Sequence, residues 1–116
     1  MDLNIKSLQD AGAFAGAPVQ REVEWEQSGE KLKATTYIRK MSYRMAASDI
    51  KELGGAGEMV ASRIAACVCD EKGQAVFTVA DITGDASADR GPLNYNLTMA
   101  LLTAISEVNS PGKPTA

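Results

Sequence analysis

The side chains able to do chemistry here are two cysteines, a few aspartates and one glycine-rich run. Cys67 and Cys69 stand in C-x-C spacing. A disulfide between such near neighbours is strained, and a reducing compartment disfavours it. A zinc site usually needs four Cys or His ligands, and the chain has no histidine. The two cysteines therefore read as fillers of small core spaces. The lack of histidine also removes Ser-His-Asp and Cys-His nucleophilic systems. Asp81, Asp85 and Asp89 lie around one polar stretch, and paired carboxylates can exchange protons or hold a divalent cation. Their spacing is not that of a calcium loop, and caps and turns account for all three. Gly54-Gly55-Ala56-Gly57 lacks the G-K-[ST] of a phosphate cradle and joins two helical patterns, so it reads as a link or hinge. Asn96-Leu97-Thr98 has the form of a glycosylation sequon, but in a helix expected to stay in the cytosol. No catalytic residue, metal ligand or cofactor site is expected.

Residues suited to contact rather than catalysis are easier to name. Trp25 is the only tryptophan. On a hairpin it is either core or an interface anchor, and packing on the helices of its own chain is the favoured reading. Met41, Met45, Met59 and Met99 fall near the helical segments. Methionine suits adaptable contact surfaces and also fills gaps in an aromatic-poor core, and the two readings stand level. The candidate partner-binding residues are Trp25, Tyr37, Met45 and Met59.

Composition sets the frame for these residues. At 116 residues, 45% hydrophobic and 23% charged, the chain suits one ordinary domain with a buried core. Aromatics make up only 5%, so aliphatic residues must build most of that core. A net charge of -3 and scattered basic residues lack the footprint of a nucleic-acid binder. The opening MDLNIKSLQD has no secretory pattern, and no run approaches the ~20 apolar residues of a membrane span. The protein is expected to remain in the cytosol.

The elements follow from hydrophobic periodicity. Residues 1–18 show neither period, which predicts an extended arm with Phe14 as its one anchor. Residues 19–40 alternate around Ser28-Gly29, predicting a β-hairpin. Val23, Trp25 and Gln27 alternate with Glu22, Glu24 and Glu26, and the second run places Leu32, Ala34, Thr36 and Ile38 on one face, so a glutamate-rich strand opposes a lysine-bearing one. Residues 42–53 carry Tyr43, Ala46, Ile50 and Leu53 on one helical stripe, with Ser42 as cap. A second helix places Val60, Ile64, Cys67 and Val68 on one face and Arg63 toward solvent. Asp70–Gly73 is a turn, and 75–77 a short extended piece. Thr78-Val79-Ala80-Asp81 has capping-box form and starts a short helix ending near Gly84. Pro92 suits the first position of a last helix carrying Leu93, Leu97, Leu101, Ile105 and Val108. The expected fold is α+β: an N-terminal antiparallel hairpin packed with a small cluster of helices, the last of them long. Its divisions are an arm over 1–18, one domain over 19–109 and a disordered tail over 110–116.

The order of these pieces supports a resemblance. The stretch Asp70 to Ile82 has the form D-E-x-G-x-x-V-F-T-x-x-D-I, and the closing helix ends in E-V-N, Glu107 to Asn109. Over residues 3–109 the chain resembles the tail assembly chaperones of long-tailed bacteriophages and prophages. The resemblance implies a non-catalytic protein that binds the tape-measure protein, keeps its hydrophobic helices soluble and helps tail-tube subunits assemble around it. It further implies self-association into rings or spirals, short and frameshifted long forms with this chain as the short one, and a place in the host cytoplasm but not in the mature virion. Rival readings are a minor structural or adaptor protein of the tail, a small regulatory protein-binding domain, and a carboxylate enzyme.

Overall fold

The structure is a computed structural model, and it describes residues 1–43 and 59–109. The hairpin is its framework. β1 (Val19–Gln27) runs antiparallel to β2 (Glu30–Ile38), with Val23 opposite Ala34, Trp25 opposite Leu32 and Gln27 opposite Glu30. Only Ser28 and Gly29 form the turn, with φ of 53° and 81°. Two successive positive φ values match the natural twist of paired strands, and Gly29 adopts its value without a Cβ penalty. Alternation sorts the faces as expected. Val23 and Ile38 are buried and Trp25 is half-buried, while Glu22, Glu24, Glu26, Lys31 and Lys33 are exposed. Lys33 Nζ lies 3.7 Å from Glu24 Oε2 directly across the ladder. Such exposed pairs contribute only about 0.2–1 kcal/mol.

α2 (Met59–Cys67) passes straight into β3 (Val68–Cys69). β3 lies antiparallel to the end of β2, with Tyr37 opposite Cys69 and Ile38 opposite Val68, giving the sheet order β1-β2-β3. Val68 therefore belongs to the sheet rather than to the helical stripe that spacing assigns it. The Arg39 N–H donates to the Cys67 carbonyl at 2.8 Å, which draws the end of the helix into the ladder. Ile64 and Cys67 are buried as expected, with Ala61 beside them. Val60 is 51% exposed, because the first turn reaches past the core. Arg63 is half-buried rather than in solvent.

The remaining chain is fixed by turns and caps. Asp70 Oδ1 accepts the N–H groups of Lys72 at 2.8 Å and Gln74 at 2.9 Å, while Gly73 takes φ 83°. Ala75 then bridges back to Cys69. In α3 (Val79–Thr83) the capping box closes both ways: Thr78 Oγ1 accepts the Asp81 N–H, and Asp81 Oδ2 accepts the Thr78 N–H. Gly84 ends that helix at φ 96°, and a Cβ there would meet the Pro92 nitrogen at 2.7 Å. Only glycine satisfies both conditions.

α4 (Tyr95–Asn109) is the long closing helix. Its cap is Asn94, whose Oδ1 accepts the Leu97 N–H at 3.0 Å. Pro92 and Leu93 lie before the helix, contrary to the expectation from Pro92. The Leu93 N–H is committed to the Ile82 carbonyl at 3.0 Å, which ties that segment to α3. Leu101, Ala104 and Ile105 are buried, and they share one core with Val23, Ile38, Ala61, Ile64, Cys67, Val68 and Ile82. Burying a large aliphatic side chain contributes about 1.5–3 kcal/mol. Cys67 and Cys69 are buried, as core fillers should be.

Residues 1–18 are not simply extended. Asn4 Oδ1 accepts the Ser7 N–H at 2.8 Å and opens α1 (Ile5–Asp10). None of its residues is buried, and Phe14 is 52% exposed, so that ring is not an anchor in the core. Tyr43, expected on an apolar stripe, is 87% exposed. The rest of the 42–53 helical pattern, the Gly54–Gly57 link and the 110–116 tail lie outside the described residues.

Candidate functional site

Strand alternation puts Trp25 on the inner face of the hairpin and Tyr37 on the outer, yet the structure brings both to one apolar groove. β3 ends at Cys69, opposite Tyr37, and leaves the neighbouring edge of β2 open. There a groove of about 330 Å³ is lined by Trp25, Ala34, Tyr37, Val68, Phe77, Leu97 and Leu101, among others. Asp70 and Glu71 form an acidic rim. Trp25 packs against the core on one side, and its Nε1 donates to Gln27 Oε1 at 3.1 Å. The indole is thus both core and groove wall. The Tyr37 carbonyl accepts the Cys69 thiol at 3.5 Å.

The two methionines fare differently. Met59 opens α2, is half-buried and is not part of the groove lining. Met45 lies outside the described residues. Met41 and Met99 are 42% and 46% exposed, and Met99 joins Trp25, Asn96 and Ala100 along a second groove between β1 and α4. Phe77 and Leu97 were not singled out by sequence as site residues. The signal for Phe77 was the apolar Ala75-Val76-Phe77 run after a turn, too short to show a face.

The polar groups hold the frame. Asp81 Oδ1 accepts Arg90 Nη2 at 2.7 Å besides serving the cap. The Thr78 N–H, then its hydroxyl, then Arg90 hold the Asp81 carboxyl below the usual carboxylate range. Asp85 Oδ2 accepts the Thr83 hydroxyl at 3.0 Å. Among the described residues no three acidic or cysteine side chains gather as a metal site, and no helix is long and apolar enough to cross a membrane.

The motifs behind the resemblance have structural tasks in this geometry. Asp70 and Gly73 build the turn, Thr78 and Asp81 the capping box, and Ile82 enters the core. In E-V-N, Glu107 lies 3.7 Å from Arg21 on β1 and Val108 packs on the core. Asn109 accepts the Met41 N–H at 2.6 Å and donates to the Arg39 carbonyl at 3.3 Å, fastening the end of α4 to the segment after β2. A family model described as phage tail assembly chaperone matches residues 6–109, a span that includes all of these residues. The chain belongs to the phage tail assembly chaperone family. Comparison with curated proteins and with solved structures gives no match. For this tail assembly chaperone the matched span begins inside α1 and ends with α4.

Proposed function

We propose that this chaperone binds the tape-measure protein in the host cytoplasm and promotes assembly of the tail tube around it, without catalysing a reaction. In this reading it acts as a homo-oligomer and leaves before the virion is complete. The observation that carries the reading is the family match over residues 6–109. The groove beside Trp25 and Tyr37 supports it, because an apolar concavity with an acidic rim suits a side chain projecting from an amphipathic helix. Weak contacts of this kind, repeated along an oligomer, cover a long apolar stripe reversibly through avidity.

The test is co-expression with the tape-measure protein of the same phage. Tyr37→Ala and Phe77→Ser variants whose thermal transitions remain cooperative should lose co-purification by at least about tenfold, the equivalent of roughly 1.4 kcal/mol. Undiminished capture by both would remove the groove from the reading. Mass spectrometry of purified virions checks the transient role: a stoichiometric complement of this chain in the particle would instead make it a structural tail protein.

A further inference from the structure

The groove beside Trp25 exists because α4 packs mainly on β1 and leaves part of the sheet uncovered. Along the inner face of β2, Ile38 is buried and Leu32 half-buried, but Ala34 is exposed. The lining is largely apolar, with Trp25, Phe77, Leu97 and Leu101 in it, and Val76 beside them is 52% exposed. Among the described residues Asp70 and Glu71 are the only charged ones that line it. These two carboxylates are not equivalent. Asp70 Oδ1 is occupied by the Lys72 and Gln74 N–H groups and holds the turn. Glu71 is exposed, and its carboxylate enters no hydrogen bond or ion pair among the described residues. Two cations stand near in sequence, yet neither lines the groove: Lys72 is exposed in the turn, and Arg39 Nη2 donates to the Gly73 carbonyl.

An apolar side chain alone satisfies the lining and leaves Glu71 unanswered. On a helix, residues three or four apart lie about 5–6 Å from each other. A lysine or arginine one turn from the inserted side chain therefore reaches a carboxylate beside the cavity. A glutamate at that position meets Asp70 and Glu71 as a like charge, which turns the wrong partner away. We propose that the groove selects amphipathic helices carrying a lysine or arginine one turn from the inserted apolar side chain, and that Glu71 reads this charge. Exposed ion pairs add little affinity, so burial of the apolar side chain holds the helix and the charge chooses among helices. The proposal rests on the tail-assembly reading for the role of the groove and adds the chemistry of the helix it takes.

Trp25 is the only tryptophan and forms part of the groove wall, so its emission reports occupation. The probes are two synthetic amphipathic helices of about 18 residues, free of tryptophan and sharing one leucine stripe. One flanks the stripe with lysine, the other with glutamate. At low salt the full chain should bind the lysine helix at least about fivefold more tightly, and added salt should narrow the difference. Glu71→Gln should narrow it too, and Glu71→Lys should abolish it, both with the parent circular dichroism spectrum. Glu30→Lys changes the net charge as much at a residue outside the groove lining, and it should keep the parent preference. Equal binding of the two helices by the parent chain overturns the proposal. So does a preference that survives Glu71→Lys, or one that Glu30→Lys removes equally. Trp25 emission that shifts with protein concentration alone puts a second copy in the groove and overturns it as well. The titration uses no tape-measure protein, so it fails separately from the co-purification that tests the tail-assembly reading.

Discussion

Thr78 and Asp81 are legible in sequence as a capping box and are found as one, because the motif depends only on neighbours within one helical turn. Replacing the Thr78 hydroxyl should cost about 1 kcal/mol, read as a lower urea midpoint for Thr78→Ala. The Asp81 carboxyl adds a pH signature. Its folded pKa lies below the ordinary 3.8, so the carboxylate stabilises the fold above that value and the contribution is lost as the pH falls through the folded pKa. The stability gap between the parent and Asp81→Asn should be full at neutral pH and close on acidification below 3.8. A gap unchanged by acid would show that Asp81 acts otherwise. At Trp25 sequence alone offered core or interface as alternatives. The structure gives the indole both surroundings, which no single-residue reading could separate.

At the scale of elements, the hairpin and the closing helix followed from periodicity, since each shows one apolar face over many residues. The start of α4 did not, because Pro92 is a general N1 signal whereas the Leu93 N–H is held by a tertiary partner, the Ile82 carbonyl. Val68 was assigned to a helix because its spacing from Ile64 fits a helical stripe. Only the proximity of Ile38 makes it a strand residue. The face of α2 can be tested directly. Ile64→Ala should cost about 2–5 kcal/mol, as large-to-small changes in a filled core do. Val60→Ala should stay within about 0.5 kcal/mol. Equal losses, measured by urea denaturation, would contradict the exposed first turn.

For the whole molecule, the core joins the hairpin, α2, β3, α3 and α4, while α1 contributes no buried residue. Deleting residues 2–18 should therefore move the melting temperature by less than about 4 °C, the shift that roughly 1 kcal/mol gives in a domain of this size. A collapse of the cooperative transition would place the arm in the folding unit.

By itself the sequence determined the α+β class, the hairpin, the turn at Asp70–Gly73, the α3 cap and the apolar face of α4. Each of these depends on residues close in the chain, or on a period that repeats along it. It also carried the family resemblance, because the residues that make those turns and caps are the ones in the motif. Tertiary structure alone decided that β3 stops beside Tyr37 and that Phe77 and Leu97 meet Trp25 across a groove. Those outcomes depend on contacts between residues far apart in sequence, where the spacing of side chains along the chain carries no distance in space.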